Sequence, residues 1–553
     1  MIARLALVLS FSLSLAAQTT SAPKRSETYH VAGVVVNSIT NQPLGGVKVS
    51  IYRSESPEYS QHTNTGADGR FGLAGVPAGK YTLMGSGLGY RAQGFHQHGD
   101  YFIGIAVGPE LDSEHILFQL VADARIEGSI TNEEGEAVRN ANVTLYERNH
   151  DTGRQQTRQI TNAATDDRGH YLFSHLGPGT YFVAVSARPW YAQYQNADQP
   201  PVPAQDAPRF AEERTPLDVA YPMTFYPSAE DSSGAAPIVL HPGDRITADI
   251  SVRAVPAVHL RLKTADPQHG QGRRNIATTA FPRVSQRIFE GALVPVMSSQ
   301  GSCSPNGGCD YTGIAPGRYV IEMPSMPSGG GKHGGWYKEM DLSGTVELDP
   351  GESPPLASVT GAMQFEGTSR PPGRIYVVLA ERNSGEDFAA EVTPKGTFDF
   401  SEMEVRPGFY DVAINAAQSY QIRSVQATGA KVTAQTIEIS GGAVQLALTT
   451  ARTRASINGT VTNGDKAFPG AMVVLVPQDP MHNLTLFRRD QSDSDGTFTL
   501  REVLPGSYTV VALQNGWELD WASPSALQKY LKSGTPVDVT GDSKLSIKVQ
   551  LQR

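Results

Sequence analysis

The chain has almost no cysteine: two in 553 residues, Cys303 and Cys309. That excludes a disulfide framework and a multi-cysteine zinc site. Long apolar runs are equally scarce. Beyond the first seventeen residues nothing approaches the roughly 18 apolar residues of a membrane-spanning helix, so no integral span is expected in the mature chain. A dominant charge is also missing, because 46 Lys and Arg against 55 Asp and Glu give a net charge of −9. No run of Lys or Arg supplies the footprint of a nucleic-acid binder, so nucleic acid is not an expected partner. Reactive constellations are lacking too. There is no Gly-x-Ser-x-Gly, no carboxylate pair stands out, and the thirteen histidines are scattered. Gly329–Gly335 has glycines but no strand-loop-helix context for a phosphate. Neither an enzyme nor a cofactor is expected.

What the chain does have is glycine and proline, 55 and 37 residues respectively, about one residue in six. Many fall in one recurring phrase ahead of a short apolar run. The copies are Pro77-Ala78-Gly79-Lys80-Tyr81, Pro178-Gly179-Thr180-Tyr181, Pro316-Gly317-Arg318-Tyr319, Pro407-Gly408-Phe409-Tyr410 and Pro505-Gly506-Ser507-Tyr508. Proline fixes the entry to a turn, glycine allows positive φ, and tyrosine suits the strand that follows. One turn used five times predicts one small β-domain used about five times, strung head to tail.

Three copies share more. Val31–Val36 and Val47–Tyr52 flank a turn at Pro43-Leu44-Gly45-Gly46. Ile126–Ile130 and Ala141–Tyr146 do the same in the second copy, and Ile457–Val461 and Ala471–Val476 in the fifth. Their alternation predicts half-buried antiparallel pairs. A second hairpin is expected at Asp68-Gly69-Arg70-Phe71, Asp167-Arg168-Gly169-His170-Tyr171 and Asp495-Gly496-Thr497-Phe498, since Asp-Gly favours hairpin geometry. Copy four keeps Lys395-Gly396-Thr397-Phe398, and copy three has the cysteine loop in that place. Ser523-Pro524 predicts a short helix over 525–532, with Gly534 beyond it.

Together these motifs resemble the carboxypeptidase regulatory-like domain, a transthyretin-like β-sandwich related in shape to Cna-B-like domains. Such domains occur in tandem in large secreted bacterial proteins, notably of Acidobacteria. The resemblance implies an all-β fold: about five Ig-like or transthyretin-like antiparallel β-sandwiches with one minor helix. The expected boundaries are 28–121, 122–255 with a long Pro/aromatic insertion, 256–350, 351–452 and 453–553. It does not bring peptidase activity, because the chain lacks a His-x-x-Glu with a distant His.

Residues 1–17 read as a secretory signal: Arg4, then apolar Leu5–Leu15, then a small-residue cleavage site. The expected place is outside the cytoplasm: periplasm, outer-membrane association or the extracellular space. There the Cys303/Cys309 pair is expected to form a local disulfide across its turn. Asp493-Ser494-Asp495-Gly496 has the carboxylate spacing of a calcium loop but lacks its terminal Glu, and no metal is expected. An aromatic follows the turn tyrosine by nine residues in three units, namely Tyr90, Trp190 and Trp517, with Tyr191 and Trp521 beside them. At about 3.3 Å per residue these rings fall at one pole of each sandwich. There they either lid the core and pack between units, or stack on sugar faces. The expected role is a non-catalytic envelope scaffold or binding module whose partner is an envelope protein or polysaccharide.

Overall fold

Alternation of buried and exposed side chains dictates the architecture. Along Arg70–Pro77, Phe71, Leu73 and Val76 are buried while their neighbours face water. A face of that kind is stable only against a second one. The computed structural model describes residues 27–54, 59–192, 217–263, 283–296, 300–304, 308–323, 326–328, 331–333, 336–348, 355–366, 373–383, 386–401, 403, 405–416, 420–452 and 454–553. The expected signal segment, residues 200–216 of the 200–237 insertion and part of Gly329–Gly335 lie outside them. Five sheet pairs result, each around its own apolar core.

Unit one shows the plan. Arg70–Pro77, Thr28–Asn37 and Ile116–Leu120 form one sheet in that order. Ser60–Asn64, Lys48–Arg53, Gly79–Gly87 and Tyr90–Gly94 form the other, with Ile105–Val107 also on Gly79–Gly87. Val35, Ile51, Leu83 and Phe118 meet between them with no exposed surface.

The sandwiches are not purely antiparallel. In every unit the opening strand runs parallel to the closing one. The pairs are Thr28–Asn37 with Ile116–Leu120, Ala124–Thr131 with Arg245–Thr247, and Val258–Lys263 with Val346–Leu348. Ala357–Phe365 with Gly442–Arg452 and Ser456–Asn463 with Lys544–Gln552 complete the set. Each unit is thereby closed by its own two ends.

The expected hairpins are a second correction. Thr28–Asn37 and Lys48–Arg53 lie in opposite sheets, as do Ser60–Asn64 and Arg70–Pro77, and the Pro-Gly turn crosses back again. The Asp-Gly turn is thus a corner between sheets. Alternation reports that one face is buried, and a facing sheet buries it as well as a hairpin partner does. The cysteine segment is a true hairpin: Gln300–Ser304 pairs with Gly308–Ile314, and Cys303 stands opposite Cys309.

The turn tyrosines lie on the strands expected to follow each turn and have a further purpose there. Tyr81, Tyr181, Tyr319, Tyr410 and Tyr508 are buried, and each hydroxyl donates to the carbonyl four residues earlier, on Pro77, Gly177, Ala315, Arg406 and Leu504, at 2.7 to 3.1 Å. Gly179, Gly317 and Gly408 do not take positive φ. They leave room for the ring instead: a Cβ on Gly179 would stand 3.3 Å from the Tyr181 edge, and one on Gly317 3.4 Å from that of Tyr319.

Unit five differs in having its sheets joined through Lys544–Gln552. Its helix, Pro524–Leu531, starts where Ser523-Pro524 predicts. Leu527 and Tyr530 pack with Trp521 on the outer face of Met472–Pro477, so that strand is buried at every position.

Candidate functional site: the seam between units one, two and five

The five units do not form an open string. The Asp-rich turn of unit five is seated on unit one. Asp493 Oδ1 accepts the Gly104 amide at 3.1 Å, Ser494 Oγ accepts the Ala106 amide at 2.9 Å, and the Ser494 amide donates to the Gly104 carbonyl. Lys80 pairs with Asp493 and donates to Thr497 Oγ1 at 2.6 Å. A lysine ammonium therefore stands against the carboxylate of this Asp-rich turn. Among the described residues no group of three or more His, Cys, Asp or Glu is arranged to hold a metal. Burial pushes the Asp493 carboxyl up, with Lys80 acting against that shift. Asp490 is pushed up to about 6, chiefly by burial.

Beside this contact lies an aromatic cluster. His98 stacks flat on Trp517, with ring centres 4.6 Å apart and planes within 7°. The Arg489 guanidinium sits 4.4 Å from the Tyr101 ring centre and 4.7 Å from that of Trp521. Gln491 Nε2 donates to the His96 carbonyl at 3.0 Å. Burial lowers the pKa of both His96 and His98, which favours neutral rings in the folded state. Unit two joins from the other side. Trp521 Nε1 donates to the His150 carbonyl at 2.8 Å, His150 Nδ1 meets Asp520 at 2.9 Å, and the Ala522 amide donates to the Gly153 carbonyl.

These contacts place the aromatic candidates differently from one another. Trp521 is buried and Trp517 has His98 on its face, so both act between units. Tyr90 packs at the edge of the unit-one core, its hydroxyl accepting from Asn37 Nδ2 at 3.0 Å. Tyr191 donates to Glu133 at 3.0 Å and stands edge-on to Trp190. Trp190 is 83% exposed. Cys309 is buried in the unit-three core. Sequence reasoning placed Tyr101 among the polar aromatics but missed Lys80, Arg489 and Gly104. Their partners lie about 400 positions away, and no periodicity marks such a contact.

With this geometry in view, residues 30–98 and 125–207 match the carboxypeptidase regulatory-like domain. The first two units are carboxypeptidase regulatory-like domains. In the first of these domains the matched stretch runs from the opening strand through Tyr90–Gly94. It stops before Ile105–Val107, the strand that carries the unit-five contact. No curated protein matches the sequence. Among solved structures, the TIE protein of Bacillus anthracis is similar over 78% of this chain and 76% of its own, at 9% identity and a TM-score of 0.17. The minor pilin GBS52 of Streptococcus agalactiae is similar over 41% of this chain and 97% of its own, at 13% identity and a TM-score of 0.20. The shaft pilin SpaA of Lactobacillus rhamnosus GG is similar over 42% and 98%, at 11% identity and a TM-score of 0.19.

Proposed function

We propose that the protein is an exported, non-catalytic array of β-sandwiches serving as a cell-envelope scaffold or binding module. One observation carries this reading: the polar and aromatic side chains that the sequence offers for chemistry are engaged in joining units. His98, Trp517, Trp521, Asp493 and Lys80 all have partners across the seam. The described residues include no helix long and apolar enough to cross a membrane, and the reading needs none. Its expected partner is an envelope protein or polysaccharide. The test is turnover of peptide, ester and glycoside substrates by purified full-length protein. Activity no greater than that of a heat-denatured control is expected. Saturable turnover of any of them would overturn the non-catalytic reading.

Carbohydrate binding is the second reading, favoured by the exposure of Trp190 with Tyr191 edge-on beside it. An exposed indole offers a flat apolar face to a sugar ring. A neutral glycan array probed with wild type and Trp190→Ala decides it. Binding lost in the variant supports the reading, and no binding, or binding that the change leaves intact, removes it.

A further inference from the structure

Units one, two and five enclose a cleft of about 580 Å³, bordered by the His98–Trp517 pair. Four arginines line it: Arg91 from unit one, Arg148 and Arg158 from unit two, and Arg489 from unit five. Arg158 pairs with Asp151 at 3.5 Å, whereas among the described residues Arg91, Arg148 and Arg489 take part in no ion pair. The face of Arg148 is covered by the Phe182 ring, 4.6 Å from its centre, and that of Arg489 by Tyr101 and Trp521. A guanidinium held by its face keeps its in-plane N–H donors for an acceptor. Arg148 Nε and Arg489 Nε are buried without a partner, and so is Asn149 Nδ2 at the same wall. Buried donors without acceptors are costly, and charged ones more so.

We propose that this cleft binds an acidic oligosaccharide of the uronate type. The arginines would take its carboxylates, since a planar fork matches a carboxylate's two oxygens. Asp100 and Glu518, exposed on the rim, are acceptors suited to sugar hydroxyls. A ligand with both carboxylates and hydroxyls satisfies both sets. The volume lies in the range of roughly 300–1,000 Å³ that holds a ligand of several rings, far more than one inorganic anion needs. The site is separate from Trp190 and requires no turnover, so it stands or falls independently of the scaffold reading.

The test is calorimetric titration of the full-length protein with a uronate trisaccharide, its methyl-ester counterpart and inorganic phosphate. The acid is expected to bind, with the ester and phosphate each at least about tenfold weaker, the size of effect expected for losing one charge-assisted contact. Arg148→Gln and Arg91→Gln should each weaken the acid by about the same factor while melting as wild type does. Arg91 is exposed, so Arg91→Gln decides the matter if Arg148→Gln does not fold. Failure of the acid to bind would overturn the proposal. So would equal binding of the ester or of phosphate, or unchanged affinity in folded variants.

Discussion

Tyr410 has no exposed surface, and its hydroxyl reaches the Arg406 carbonyl at 2.8 Å across the turn that carries it. Removing that hydroxyl leaves a carbonyl without its donor inside the fold. Tyr410→Phe is therefore expected to cost about 1 kcal/mol, read from denaturant unfolding, with the ring's packing kept. Asp490 gives a prediction with a sign. Its folded pKa is raised from 3.8 to about 6, chiefly by burial, with Asp493 adding to the rise and Lys80 and the Thr499 and Gln491 amides opposing it. A raised carboxyl binds protons more readily folded than unfolded. Its contribution is therefore fully present below pH 4 and is lost as pH rises through 6. His96 and His98, lowered by burial, work in the opposite direction below their ordinary value of 6.5. Subtracting a variant isolates Asp490. Between pH 5 and pH 7, Asp490→Asn should lose less stability than wild type, by about 1 kcal/mol. Parallel thermal-melting profiles would show that this carboxyl stays solvated.

At the scale of the strand, one glycine recurs for a reason that only the sheet reveals. Gly33 pairs with Phe71, Gly128 with Tyr171, Gly361 with Phe398 and Gly459 with Phe498. The closing parallel strand lies close on the other side. A Cβ on Gly33 would stand 2.1 Å from the Ile116 carbonyl oxygen, which no rotamer change can relieve. Gly33→Ala is expected to destabilise unit one by about 3 kcal/mol or more. Gly344→Ala, where a Cβ meets nothing within 4 Å, should be nearly neutral. Comparable thermal shifts for the two would refute the close approach. The opening Gly and the Asp-Gly-x-Phe aromatic were both legible as motifs, but their pairing was not, because the first was assigned to a different hairpin. The Cys303/Cys309 pairing of the ladder supports the expected local disulfide. Reduction should lower the stability of unit three by about 2–3 kcal/mol at most. Alkylation of both cysteines in unfolded, unreduced protein would rule the bond out.

At the scale of the molecule, contacts between units outnumber those a string of beads requires. Arg406 of unit four pairs with Glu322 of unit three, and Arg382 donates to the Met481 carbonyl of unit five at 3.3 Å. Glu290 of unit three accepts from the Thr157 amide of unit two at 3.1 Å. With unit five on units one and two, the array closes on itself. Lys80→Ala combined with His98→Ala should open it, because both side chains project from unit one without entering its core. X-ray scattering should then give a larger radius of gyration than wild type, while the five cores keep their melting behaviour. A compact chain of this length has a radius near about 24 Å. An unchanged scattering curve in the folded variant would mean that the seam does not hold the molecule closed.

The amino-acid sequence by itself determined the number of units, the position of each turn and the face each strand buries. These follow from local rules: proline and glycine limit φ, and side chains alternate along a strand whatever lies opposite. The tertiary structure alone decided which strands are neighbours, why the opening and closing strands run parallel, and where unit five sits. Lys80 and Asp493 are 413 positions apart. A pair so distant leaves no pattern in either segment, and what joins them is the summed fit of two folded surfaces.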